Sequence, residues 1–395
     1  MPPPGATEMT SIDEHGGRLQ DDGGDILYPN VGLFLLIHAA ALAAIWTGVT
    51  PRAAAICAGL YVLRMLAICA GYHRYFSHRA FATGRIFQFV LAFLCQSSAQ
   101  KSVLWWAAQH RHHHLHSDTE RDLHSPRHKG FWHAHAGWIF DRRSNKADLA
   151  RVADLTRYPE LRWLHRFALV PAVVLAILTF LSAGWPGLVV GFFWSTILTY
   201  HATFSINSIA HGYGSRRYVT GDDSRNSWIL AVLAFGEGWH NNHHAYPSSA
   251  RQGFRWWEID PTFYLLLGLR RLGLIWDLKT PPAAVLRNEQ RLGLRTIDRA
   301  AAQLATTFNA ESIAATLIFA LEAAKLAELR NTLATAKDSA AQVLGTIPLP
   351  HLPTYDDVCR KAALTFGKTQ ALHAISARAY PLILNAVVER LAVAR

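Results

Sequence analysis

The sequence is poor in charge. Only 17% of its 395 residues are Asp, Glu, Lys or Arg, while 51% are hydrophobic; an average soluble domain carries about 25% charged residues. So little charge leaves a large globular exterior short of polar cover, and so much apolar character excludes disorder over most of the length. Cysteine is scarce as well. Cys57, Cys69, Cys95 and Cys359 are the whole complement and form no CxxC pair, which excludes a disulfide scaffold and disfavours a Cys-type structural zinc. The opening residues, MPPPGATEMTSIDEHGG, contain neither a basic n-region nor an apolar h-region, so residues 1–26 are expected as a loose tail rather than a signal peptide. No repeat of solenoid period is present.

Against these shortages stand 21 histidines, 13 tryptophans and a net charge of +11. The charge points to an anionic partner: lipid head groups, nucleotides or nucleic acid.

The apolar residues are gathered into long runs. Val31 to Val49 holds no charged side chain, and Ala53 to Tyr72 is broken only by Arg64. Thr50-Pro51-Arg52 separates the two. A third run covers Phe167 to Ala183, and a fourth, from Leu188, continues past Tyr200 after the turn Gly184-Trp185-Pro186-Gly187. Runs of about 20 residues match a hydrocarbon core of about 30 Å. The expected fold is therefore all-α and integral to a membrane. It has four transmembrane helices in two hairpins (about 31–49, 53–72, 167–183 and 188–209) and a helical cap. Between His73 and Arg166 there are 15 Lys/Arg and 7 Asp/Glu, while the two short turns hold a single basic residue, Arg52. Basic loops stay in the cytoplasm. Both termini and the large loop, with any site built on it, are thus expected on the cytoplasmic side, with short helices such as Phe87–Leu94 and Val103–His110 in that loop. With the basic residues on that membrane face, a nucleic-acid partner is not expected.

Three regions follow: the 1–26 tail, a membrane domain over 27–285, and an Ala-rich helical extension over 286–395. Pro281-Pro282 marks the break before the extension. Within it, Ala300–Ala305, Ala314–Ala336 and Ala371–Arg395 read as helices, with IPLPHLP at 347–353 before the last of them. Its composition does not choose between packing, oligomerisation and partner docking.

The histidines cluster at the ends of the predicted spans. They form His73-Arg-Tyr-Phe-Ser-His78, His110-Arg-His112-His113-His114-Leu-His116, Asn207-Ser-Ile-Ala-His211 and Trp239-His240-Asn-Asn-His243-His244. Residues i, i+3 and i+4 share a helix face, so His110, His113 and His114 point one way, as do His240, His243 and His244. His73 and His78 are five apart, about 140° on an ideal helix. They converge only if the helix ends between them or if they bind different ions. Nine imidazoles then meet at one membrane face. Their softness suits Fe, Zn, Cu or Ni, and nine exceed the positions of one ion, so two metal ions are expected. His112 and His116 fall off the shared face and are expected in supporting or surface roles. His124, His128, His133 and His135 are expected to pack or to orient ligands. A metal transporter would need polar residues inside its spans; Arg64 and His38 are candidates, too few to define a path.

At these residues the chain resembles the integral-membrane fatty acyl desaturases, in particular the acyl-CoA Δ9 (stearoyl-CoA) type. That family carries HxxxxH, HxxHH and a second HxxHH box, matched by His73/His78, His110/His113/His114 and His240/His243/His244. Its NSxAH element matches Asn207-Ser208 and Ala210-His211. Further matches are HRYFSHR, SDTERDLHSP at 117–126, GDDSRN at 221–226, GEGWHNNHH at 236–244 and WWEIDPTFY at 256–264. The resemblance covers roughly residues 27 to 280, and nothing after about residue 285 belongs to it.

The resemblance implies a site of two Fe ions held by His73, His78, His110, His113, His114, His211, His240, His243 and His244, with Asn207 reaching one through a water. Zn, which also takes imidazole, is the metal expected where overexpression displaces iron. It implies O2 as co-substrate and an acyl-CoA substrate that gains a cis double bond, most readily at Δ9. An acyl-lipid carrier is the first alternative and a related hydroxylase the second. The chain has no HPGG haem-binding motif, so no haem is expected in it. Electrons would come from a separate ferredoxin, rubredoxin or cytochrome b5 with its reductase. Arg142 and Arg143 stand where the family places basic residues for the CoA head, and Lys129 and Arg127 are further candidates. Tyr72, Trp106 and Trp138, with Trp105, Phe76 and Trp239, are candidates to line the acyl tunnel. Asp118, Asp122 and Glu237 sit beside the boxes and are expected either to orient imidazoles or to cap helices.

Overall fold

A computed structural model of the chain describes residues 31–323, 352–367 and 369–393. The expected 1–26 tail and the Ala-rich run beyond residue 323 lie outside them. The described residues are overwhelmingly helical. Among them the strands are Ala82–Thr83 and Ile275–Trp276, paired antiparallel. The chain forms two compact units. The first runs through Ser215 and resumes from Ser224 to Pro281; the second joins Arg216–Asp223 to the chain from Pro282 onward.

The first unit contains two long apolar helix systems. In one, Thr50 caps a helix by accepting the Ala53 N–H at 3.2 Å, Pro51 fills the first helical position, and the helix runs Pro51–Ala67. It continues without interruption as a π-helix over Ile68–Ser77. In the other, the helix begins at Val170, and Ala183 (φ −145°, ψ 19°) and Gly184 (φ 61°, ψ −150°) leave helical geometry. The left-handed φ at Gly184 is one that glycine adopts without a Cβ penalty. The chain goes on as a π-helix over Gly187–Trp194 and an α-helix over Ser195–Ser208.

Pro51–Ser77 and Val170–Ser208 are long and apolar enough to cross a membrane, whereas Phe34–Thr47 is apolar but shorter. The run expected as one span over 31–49 is a helix over Val31–Ala41 and a short one over Ala44–Thr47; between them Leu42 and Ala43 bond three residues back instead of four, to the carbonyls of Ala39 and Ala40 at 3.0 and 3.1 Å.

Arg64, the one charge in the second apolar run, is fully buried. Its guanidinium donates to Thr196 Oγ1 at 2.7 Å, to the Ser195 hydroxyl and to the Phe192 carbonyl. It thus ties the two helix systems together, since a guanidinium in apolar surroundings needs its donors satisfied.

The helix Val103–His116 starts at the Ser102 cap, which accepts the Trp105 N–H at 3.1 Å. It extends six residues beyond the expected end at His110, so the whole second histidine box is helical. The helix expected over Phe87–Leu94 spans Arg85–Gln96. It packs on the π-helix at Gly71, where an added Cβ would collide with Cys95 Sγ and meet Leu91 Cγ at 3.0 Å.

The second unit is helical: Leu294–Ala305, Ala310–Ala323, Tyr355–Phe366 and Leu372–Val393. Ile297, Leu304, Val358, Ile375 and Ile383 form its core, together with Val219 from the Arg216–Asp223 segment. The sequence reading missed the Tyr355–Phe366 helix, although its capping box, Thr354 with Asp357, is a recognisable start signal.

Gly71→Ala is expected to lower stability by about 1–3 kcal/mol through overpacking. Gly71→Ala with Cys95→Ala should recover part of that loss. Thermal unfolding of the four members of the cycle measures the coupling, and additive losses would show that Cys95 is not what Gly71 accommodates.

Candidate metal centre

The first box converges by one of the two routes open to the sequence: the helix ends between its histidines, at Ser77, with His78 as the C-cap. On an α-helix His73 and His78 diverge, but the residues between them form a π-helix, whose i→i+5 bonding places residues five apart one above the other. The His78 N–H bonds to the His73 carbonyl at 3.2 Å, and the two rings lie 4.9 Å apart. Both belong to the same group of imidazoles.

The other boxes do not act as single faces. One ligand atom from each of His73, His78, His110, His114 and His243 lies within 4.8 Å of the others; a second such group is His113, His211, His240 and His244. Residues i and i+4 differ by about 40° around a helix axis, while i+3 falls about 60° to the other side. His110 and His114 therefore face one group and His113 the other. In the third box, His240 and His244 join the second group and His243 the first. The groups abut: the His114 and His244 rings are 4.4 Å apart.

Within the first group the Nε2 atoms face one another. The separations are 3.0 Å for His73–His243, 2.9 Å for His243–His114, 3.0 Å for His114–His110 and 2.8 Å for His110–His78. In the second group, His211 Nε2 lies 3.0 Å from His240 Nε2. Burial, helped by the neighbouring imidazoles, holds His78, His110, His114, His240 and His243 well below the ordinary histidine pKa. These rings are neutral and offer lone pairs.

Carboxylates decide which nitrogen faces inward. Asp122 Oδ2 accepts from His113 Nδ1 at 3.0 Å, Asp118 Oδ2 from His211 Nδ1 at 2.8 Å, and Glu237 from His73 Nδ1. A proton fixed on Nδ1 leaves the lone pair on Nε2, the tautomer a metal needs. Burial pushes Glu237 up, but His73 and Arg74 outweigh it and hold the carboxyl below its usual range. Asp122 is likewise depressed against burial by His113 and His124.

These three carboxylates were expected either to orient imidazoles or to cap helices; here they orient imidazoles. Neutral imidazoles with inward lone pairs, backed by buried acids, are compatible with a di-iron site.

The remaining histidines take other partners. His112 Nε2 bonds to the Arg121 carbonyl at 2.9 Å, His128 Nε2 to that of Asp118 at 3.0 Å, and His133 Nε2 to that of Leu123 at 3.1 Å. The His116 ring lies 4.6 Å from that of His112. His124 packs 4.4 Å from the His113 ring and is pushed down to about 3 by burial, which outweighs Asp122 and Asp118. His135 lies in a separate chain with His201 and Ser208, both at 2.9 Å.

Several supports were not legible as such in the sequence. Arg74 joins Glu237 to Asp260, donating to them at 3.2 Å and 2.9 Å. Gln252 Nε2 donates to Glu237 at 3.2 Å. Asn242, inside HNNHH, donates to Glu258 at 2.8 Å and receives Asn226 Nδ2 at 2.8 Å, which fixes the third-box helix His240–Ala245. The signal for these groups was the run of motifs around the boxes; their roles needed the fold.

Two cavities open beside the imidazoles. One, of about 470 Å³, is bordered by Asn207, His73, His110, His113, Glu237 and His240. The other, about 650 Å³, is walled by Trp105, Trp106, Trp138, Tyr200 and Phe204 and reaches His110 and His124. Gln100 Nε2 donates to Thr203 Oγ1 at 3.1 Å on its wall.

Trp106 stacks on His110 at 4.9 Å and on Tyr72 at 5.2 Å, so Tyr72 stands behind Trp106. Phe76 lies in the core, and Trp239 donates to the Ile259 carbonyl at 2.8 Å. Among the basic candidates, Arg143 is exposed and bonds to Asp141 at 2.7 Å, and Lys129 approaches Asp141 at 3.8 Å. The hydrogen bond from Arg143 pulls Asp141 down to about 2. Arg127 is exposed in the turn Pro126–Lys129. The Arg142 side chain lies outside the described residues.

The geometry agrees with comparisons to known proteins. The sn-1 stearoyl-lipid 9-desaturase of Anabaena variabilis is 38% identical over 257 residues, 64% of this chain and 94% of that protein. The palmitoyl-monogalactosyldiacylglycerol delta-7 desaturase of Arabidopsis thaliana is 37% identical over 237 residues, 59% of this chain; the match spans 64% of that protein's length. An acyl-CoA C20 Delta5-desaturase of Anemone leveillei is 37% identical over 57% of this chain and 73% of its own. The model of the fatty acid desaturase family matches residues 30–273. With that match over most of the chain and the histidine boxes gathered as described, this protein belongs to the fatty acid desaturase family.

Proposed function

We propose that this chain is an integral-membrane di-iron desaturase that introduces a cis double bond, at Δ9, into a saturated acyl chain. It would use O2 and two electrons from a separate ferredoxin, rubredoxin or cytochrome b5 system. The observation that carries the reading is the pair of imidazole groups, His73/His78/His110/His114/His243 and His113/His211/His240/His244, next to an aromatic cavity of about 650 Å³. Iron bound there supplies the O2 chemistry that attacks an unactivated methylene, a task beyond acid–base side chains.

The residues divide the remaining work. The nine histidines would hold two metal ions, and Asn207, on the wall of the cavity beside His73, His110, His113 and His240, would support one of them. Asp118, Asp122 and Glu237 keep the inward nitrogens unprotonated. Trp106 and Trp138 exclude water and hold the acyl chain against His110. The helices Pro51–Ser77 and Val170–Ser208, with the apolar stretch before Thr50, make two hairpins of four spans, and the basic loops put the histidines and both termini on the cytoplasmic side.

Acyl-CoA is the first carrier, with Arg142, Arg143, Lys129 and Arg127 at the head group. A lipid-borne acyl chain is the second. It is favoured by the capture of Arg143 and Lys129 by Asp141 and by the lipid-borne substrates in the names of the Anabaena and Arabidopsis relatives.

Expression in a host lacking its own Δ9 desaturase, with candidate electron donors supplied, should yield new cis-9 monounsaturated acids, located by mass spectrometry. A hydroxy acid in their place would reassign the reaction. His243→Ala should abolish the product and lower iron content per protein while the chain still reaches the membrane; full activity would remove that residue from the metal shell.

Asp118→Asn removes the negative charge that fixes the His211 tautomer and leaves one acceptor oxygen where Asp118 offers separate oxygens to His211 and Ser125. It is expected to weaken metal retention about 10–100-fold, read as iron remaining after dialysis against a chelator. Arg142→Ala with Arg143→Ala should raise KM for stearoyl-CoA and leave turnover of a stearoyl phospholipid in nanodiscs unchanged. Equal behaviour toward both substrates would return these arginines to the solvated surface.

A further inference from the structure

Outside the apolar helices the first unit carries a second apolar exterior. In the segment Arg255–Asp260, Trp256, Trp257 and Ile259 are exposed, Trp256 by 83%. The acids of the same segment are buried: Glu258 bonds to Asn242, and Asp260 to Arg74. This inverts the usual arrangement, in which aromatics go inside and carboxylates face water. The short helix Trp228–Leu233 repeats the pattern, with Trp228, Ile229, Val232 and Leu233 outward and Leu230 and Ala231 inward. Arg255, Arg270 and Arg271 are also exposed on these elements and on the helix that follows.

This exterior continues from the helix Pro51–Ala67. Tyr61 Oη donates to the Leu233 carbonyl at 2.7 Å and Cys69 Sγ to that of Ala234 at 3.3 Å. Beside Tyr61, Val62 and Leu63 are exposed on the apolar helix.

We infer that Trp228–Leu233 and Arg255–Ile259 form an interfacial collar immersed in the head-group region of a lipid bilayer. The chemistry of the face selects this partner. Tryptophan at the rim of an apolar surface suits the membrane–water interface. An amphipathic surface with apolar side chains turned to the lipid and arginines beside them binds anionic bilayers. The carboxylates that would repel such a surface are turned into the protein. The same short segment thereby meets lipid on one side and holds the third histidine box and Arg74 on the other, which sets the imidazole groups at a fixed depth beside the bilayer. The inference rests on the membrane reading proposed above.

The test uses the full chain in phosphatidylcholine–phosphatidylglycerol vesicles, with Cys359→Ser to remove the one cysteine that is not buried. Trp256→Cys and Ile229→Cys carry a nitroxide, and Leu178→Cys, on an exposed face of the long apolar helix, is the control. Collision with O2 and loss of collision with a water-soluble nickel chelate at positions 256 and 229, as at 178, is the expected result. Nickel access at 256 and 229 with lipid contact at 178 overturns the collar and leaves the spans intact. Shielding from both reagents at 256 and 229 also overturns it, assigning the face to a second copy or a protein partner. Nickel access at all three positions overturns the membrane reading itself.

Discussion

Three buried hydrogen bonds set the terms for the rest of the structure: His73 to Glu237, His113 to Asp122 and His211 to Asp118. An imidazole can present either nitrogen, and a ring that presents its N–H inward cannot bind a cation. Each carboxylate removes that freedom. Two of the three pairs, His73–Glu237 and His211–Asp118, join distant stretches of chain, so the loop carrying Asp118 and Asp122, the turn before the third box and the ends of both long helix systems must all be rigid together. The Arg74 guanidinium, shared between Glu237 and Asp260, shows how far the support extends. A carboxylate that orients a ligand is itself held in place by a buried cation. That cation is anchored in turn by Asp260, which caps the helix Pro261–Arg271 by accepting the Phe263 N–H.

Backbone geometry then distributes nine rings between two groups. The π-helix over Ile68–Ser77 widens the turn so that His73 and His78 lie one above the other. The ordinary α-helical offset in the second and third boxes sends His113 one way and His110 and His114 the other. No residue needs to move for the two adjacent imidazole groups to be distinct; the difference between i+3 and i+4 is sufficient.

Polar groups are used just as sparingly at the periphery. Arg64 directs its donors to Ser195 and Thr196 and so joins the two long helix systems. In Arg255–Asp260 the tryptophans face outward while the carboxylates face the residues that support the histidine groups. Apolar exterior and polar centre are therefore mechanically continuous rather than separate layers.

The sequence by itself determined the helical class, the apolar runs, the nine histidines and the three acids beside them. These are matters of composition and short spacing, and hydropathy or an i, i+4 repeat survives without knowledge of the fold. It also carried the break at Thr50-Pro51, where the first long helix system starts. Tertiary structure alone decided which histidine joins which group, because that depends on a π-turn that α-helical arithmetic excludes and on contacts between residues more than a hundred positions apart. It decided that Tyr72 backs Trp106 instead of facing the cavity, that Asp141 captures Arg143, and that Arg216–Asp223 packs with the C-terminal helices through Val219. Each of these is fixed by packing, where the partner's position, and not the residue's own type, sets the outcome.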